Sequence, residues 1–140
     1  MKKINLNNKN DTDIKQLILE TTLMLEKEAL VIWASNCVEH VLPFFEEKYQ
    51  NDNRPRRALE VAQAWLKGEK SVDEVREAAF ESHAAAREVE DDKACAVARA
   101  AGHAAATVHA VGHAVHAASY AAKVDPNERL WQYEKLLKMI

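Results

Sequence analysis

The chain has 140 residues, with 22 Asp and Glu against 19 Lys and Arg and a formal net charge of −3. That length suits one domain whose single core needs no metal or disulfide. No lysine- or arginine-rich block is present, which argues against a nucleic-acid partner held through its phosphates. Cys37 and Cys95 match no C-x-x-C spacing and lie in apolar helical patterns, so buried reduced thiols are expected. The N-terminal MKKINLNNKN is too polar for a signal peptide, and no apolar run approaches the roughly 18 residues of a membrane span. The expected location is the cytoplasm.

Residues 1–10 are expected to fray, and 11–140 to form one helical domain. Asp11 or Asp13 is placed to cap a short helix carrying Ile14, Leu17 and Ile18. A longer helix is predicted from Thr21 or Thr22, with Leu30, Trp33, Cys37 and Val41 forming one apolar stripe until Pro43 kinks it. Asn53 as cap and Pro55 in the first turn then start a helix along RRALEVAQAWLK, which Gly68 closes in a left-handed conformation. Ser71 and Glu74 have capping-box spacing ahead of a helix reaching about Val89, with Arg76, His83 and Arg87 on the border of its buried side. Asp91 and Asp92 restart the chain. A last amphipathic helix follows Asp125 and Pro126, with Glu128 completing its cap and Leu130, Tyr133, Leu136 and Leu137 on its apolar side.

Between these lies Ala94–Lys123, made almost entirely of alanine, valine, histidine and glycine. Alanine is the best helix former and no proline interrupts the run, so a continuous helix of roughly 40 Å is predicted at the centre of the fold. Val97, Val108, Val111 and Val115 would share an arc of about 60°, and His109, His113 and His116 a second of similar width. Few charges fall between them, so this helix should be buried nearly all round, with Gly102 and Gly112 marking close helix crossings. No strand alternation or hairpin signal occurs anywhere. The class is therefore all-α: a compact single-domain bundle of about five or six helices around a long alanine-rich central helix. SHAAAR at 82–87 echoes GHAAAT at 102–107, too little to define a repeat.

In order, WASNCVEHVLPFFE, RPRRALEVAQAWLKGE, REAAFESHAAAR and ARAAGHAAATVHAVGHAVHAASYAAK resemble the Imm-five-like putative immunity proteins of bacterial polymorphic toxin systems. The resemblance runs from about Ala29 to Lys123. Family motif positions fall on Trp33, Cys37, Arg54, Pro55, Arg56, Trp65, Gly68, Arg76, His83, Arg87, His103, His109, His113, Tyr120 and Lys123, while His116 stands where a small residue is expected. The resemblance implies a small helical cytoplasmic protein that neutralises a cognate toxin by binding it, without catalysis.

The polar residues admit a structural reading, with the histidines in interhelical hydrogen bonds and Arg76, His83 and Arg87 paired with acidic residues of a neighbouring helix, and two functional ones. Arg76, His83 and Arg87, joined by Arg54 and Arg56, would form a positive patch for an acidic protein partner, since the planar guanidinium grips carboxylates bidentately. Alternatively, His109 and His113 lie one turn apart with His116 close by, and with His40 they would loosely imitate the three-histidine metal site of DinB-like bundle enzymes. Zinc would be the cofactor under that alternative, and none is needed under the first. Stronger metal motifs, H-E-x-x-H or E-x-x-H, do not occur. Cys37 with His40 lacks an oxyanion hole, and the three scattered glycines make no phosphate loop.

Overall fold

A computed structural model describes residues 10–140, so the fraying expected of residues 1–10 lies outside the described residues except for Asn10. Among the described residues there are eight α-helices and no strand. They are α1 (Asp11–Thr22), α2 (Lys27–Val41), α3 (Pro43–Glu46), α4 (Arg54–Leu66), α5 (Val72–Glu88), α6 (Asp92–Ala106), α7 (His113–Ala121) and α8 (Glu128–Leu137), with a 3-10 turn at Ala122–Val124. The all-α class is as expected. The helix count is higher than predicted because the alanine-rich run is two helices and Pro43 opens a separate short helix rather than kinking one.

That run breaks after Ala106. Thr107 donates its hydroxyl to the His103 carbonyl (3.0 Å), and the next amides tighten to three-residue bonds, Val108 to Ala105 (3.1 Å) and His109 to Ala106 (3.1 Å). β-Branched Thr107, Val108 and Val111 and the flexible Gly112 weaken helical preference just where these bonds tighten. The chain then reverses and α7 packs back on α6. A continuous helix would have left α7 without that neighbour, whereas reversal buries Ala114, Ala117, Ala118 and Ala121. Gly112 has an ordinary helical φ of −60°, and a side chain there would meet nothing, so it marks no close crossing. Gly102 does: a Cβ would lie 2.5 Å from Nε2 of His83.

The shortened α6 keeps the central place, packing against α2, α3, α4, α5 and α7. Its alanines at 94, 96, 98, 100, 101, 104, 105 and 106 are buried, and small side chains let all these neighbours approach. Trp33 on α2 is fully buried, and its indole N–H donates to the Gln132 carbonyl (2.9 Å), tying α8 to the core. Gln132 donates in turn to the Ala118 carbonyl (2.8 Å). Helix α1 packs mainly on α8. Among the described residues, no helix is long and apolar enough to cross a membrane.

Several caps match their sequence signals. Ser71 and Glu74 form the reciprocal capping box, Asp91 accepts from the Ala94 amide (2.9 Å), and Gly68 is left-handed at φ 76°. Others differ. Asn10 caps α1, and Thr21 and Thr22 close that helix by donating to the Leu17 and Leu19 carbonyls (both 2.7 Å), so α2 starts later, at Lys27. At α4 the amide of Arg54 bonds Asp52 (3.1 Å) rather than the side chain of Asn53. Helix α2 stops at Val41, but Leu42 keeps helical angles and α3 begins on Pro43, which has no amide hydrogen to continue the ladder.

Candidate partner-binding site

The reversal between α6 and α7 gathers five of the six histidines. His83 of α5 meets His103 of α6 edge-on, ring centres 5.0 Å apart. His103 also faces His113 (5.1 Å), His116 (5.4 Å) and, nearly parallel, Tyr120 (5.3 Å) from α7. His109, in the reversal itself, touches His113 at 5.5 Å. The imidazoles of His103 and His113 join through their Nδ1 atoms at 2.9 Å. Such a bond needs one ring nitrogen to accept, so both rings cannot be fully protonated together. The expectation of a buried histidine stripe is corrected: His109 and His116 are exposed, and His113 is half-buried.

Charge around this cluster is one-sided. Burial first, then the imidazoles of His83, His113 and His116 and the guanidinium of Arg99, push His103 down to about 4. Burial, then Arg99, Arg87 and His113, lowers His83; burial, then Arg76 and Lys27, lowers His109; burial, then His109 and His116, lowers His113. No carboxylate is among the charges that shift these four rings. Arg87 and Arg99 make no ion pair among the described residues, and Arg76 has only Asp73 at 4.0 Å. The Lys123 ammonium adds a further cation over the Tyr120 ring, 4.6 Å from its centre. Nδ1 of His83 is buried with no hydrogen-bond partner.

Arg54 and Arg56 lie in a different setting. Arg54 forks onto Asp52 (2.9 and 2.7 Å) and also reaches Glu88. Arg56 binds both oxygens of Glu46 (2.6 and 2.9 Å) and one of Glu39 (3.3 Å). The two guanidiniums hold Asp52, Glu88 and Glu46 below the usual carboxylate range. Arg76, His83 and Arg87 thus share one cationic side of α5, while Arg54 and Arg56 are each matched by two carboxylates.

The metal-type set His40, His109, His113 and His116 is not assembled. His40 donates from Nδ1 to the Glu128 carboxylate (2.9 Å), and its ring lies flat on Trp131, centres 3.7 Å apart and 2° from parallel. Glu128, expected to complete the α8 cap, is turned to this bond instead. Among the described residues no three or more His, Cys, Asp or Glu side chains are arranged to hold a metal ion. Cys37 is fully buried, and burial, then Glu128, raises its thiol pKa, which makes it a poor nucleophile.

A family described as Imm-5 like putative immunity protein matches residues 20–139. The chain belongs to that family. The match reaches past the Ala29–Lys123 span of the sequence resemblance, taking in the end of α1 and all of α8. No curated protein and no solved structure matches the chain. Within this immunity-protein chain, sequence reading set Arg76, His83 and Arg87 together and placed His103 among the family motif positions, but it did not join His103 to them and passed over their neighbour Arg99. The signal was there in the echo of SHAAAR and GHAAAT, since its two histidines, 83 and 103, are the pair whose rings meet.

Proposed function

We propose that this protein neutralises a cognate bacterial toxin by stoichiometric binding in the cytoplasm, with no turnover and no cofactor. The observation that carries the reading is the family match across residues 20–139. The cationic side of α5, with Arg76, His83 and Arg87, supplies the contact surface for an acidic face of the toxin. Cations left unmatched inside the protein favour this assignment, because they keep their attraction for an outside carboxylate and steer its approach. Arg54 and Arg56, each already held by two carboxylates, are left out of that surface.

The test is co-expression with the toxin domain encoded beside this chain's gene. Growth should be rescued, and the two proteins should co-purify in fixed ratio. A toxin that still kills, with no complex recovered, would remove the reading.

A further inference from the structure

Wound at about 100° per residue, Val72, Arg76, Phe80, His83 and Arg87 fall within an arc of about 80° on α5. Glu74, Glu77, Glu81 and Glu88 occupy a separate arc of about 60° on the side toward α4, where Glu74, Glu77 and Glu81 face Arg57 and Lys70. Apart from Asp73, which borders the stripe beside Arg76, the helix sorts its charges by side, and the cationic side carries apolar residues it does not bury. Phe80 is 67% exposed and Val72 39%, although both are large apolar side chains on a well-formed helix. Lone exposed apolar residues are common, but an aromatic set between two arginines has the composition of an interface anchor.

We propose that this α5 stripe, with Phe80 as its apolar anchor, docks an acidic amphipathic segment of the toxin, whose apolar side covers Phe80 and Val72 and whose carboxylates meet Arg76 and Arg87. Charge complementarity selects the occupant. Arg87 has no carboxylate partner among the described residues, Arg76 has one at 4.0 Å whose side chain is 92% exposed, and Arg99 and Lys27 extend the same sign across α6 and α2. A second copy of this chain could bring the acidic side of its α5 only at the expense of the contacts of Glu74, Glu77 and Glu81 with Arg57 and Lys70. Nucleic acid would use the arginines but leave Phe80 and Val72 without an apolar counterpart.

This inference rests on the toxin-binding reading, and binding of the full-length chain to the purified neighbouring toxin domain separates the two. Phe80→Ala should weaken the complex at least tenfold, mainly through faster dissociation, without lowering the melting temperature. Phe80→Leu should recover most of that loss. Arg87→Glu should slow association and flatten its salt dependence, while Glu77→Gln on the opposite side stays within twofold of the parent. If the parent chain does not bind the toxin, the function reading fails and takes the docking face with it. If the parent binds but Phe80→Ala and Arg87→Glu stay within twofold, the docking face alone is overturned. A parent dimer that Phe80→Ala dissociates, or an RNA or DNA oligonucleotide that displaces the toxin from the stripe, would also overturn it.

Discussion

Two groups of cations in this molecule do opposite things with the same chemistry. Arg54 and Arg56 at the start of α4 are each held by two carboxylates, and their positions are fixed from within the fold. Arg87 and Arg99 lie beside His83 and His103 with no carboxylate acting on those rings. The first group joins elements: Arg56 ties α4 to α3 and α2, and Arg54 ties the start of α4 to the end of α5. The second gathers like charge in one place, tolerable only while the imidazoles stay neutral. Arginine count alone therefore says little about a binding surface; what matters is where the partner carboxylates went.

The largest expected effect tests how tightly the unmatched group is packed. His83 keeps its place because residue 102 has no side chain, so Gly102→Ala forces the ring to move. Overpacking of this kind costs about 1–3 kcal/mol, offset by about 1 kcal/mol of gained helix propensity. Denaturant unfolding should show a net loss for Gly102→Ala. In a His83→Ala background the same change should instead stabilise by about 1 kcal/mol, since only the propensity gain remains. A Gly102→Ala loss that persists without the His83 ring would mean that the close contact lies elsewhere.

Next comes acid sensitivity. His103 titrates near 4 when folded against 6.5 unfolded, so between those values the unfolded chain binds the proton and the folded chain does not. Stability is therefore fully present above about pH 6.5 and declines as pH falls toward 4, with His83, His109 and His113 shifted in the same direction. The His103 ring is only partly buried, so solvent screening trims its share to roughly 1–2 kcal/mol. Unfolding midpoints at about pH 7.5 and about pH 5 should separate in the parent and separate less in His103→Gln, where His83, His109 and His113 remain. A parent curve that is flat over that interval would show that the cluster relaxes around its first proton.

Much of this was legible from the chain and some was not, for identifiable reasons. The capping box at Ser71 and Glu74, the left-handed Gly68 and the burial of Trp33 follow from local chemistry, and each appears as expected. The break at Thr107–Gly112 does not follow from local chemistry, because alanine propensity favours continuing while tertiary packing favours reversal. Residues 107–112 do contain the weak positions, but their weight is set by neighbours that the sequence does not display. The cationic side of α5 was readable from the spacing of residues 76, 83 and 87. The fates of Arg54 and Arg56 were not, because Glu46 and Glu88 come from α3 and α5, which only the fold brings to them.

The smallest expected effect measures that last difference directly. Arg56 makes two near-parallel bonds to Glu46, a geometry stronger than a simple surface pair but still part-exposed. Arg56→Ala should therefore cost about 0.5–1 kcal/mol at low salt, shrinking as salt screens the pair. The hydrogen bonds from Arg56 lead in lowering the Glu46 pKa, so this contribution is present above the unfolded carboxylate value and is lost as pH falls through the folded one. Arg87 has no such partner, and its removal also relieves repulsion on His83. Arg87→Ala should therefore change stability near neutral pH by less than about 0.5 kcal/mol and soften the decline on the acid side. If urea unfolding instead shows Arg87→Ala costing as much as Arg56→Ala, Arg87 is bound within the fold, and the distinction between matched and unmatched cations collapses.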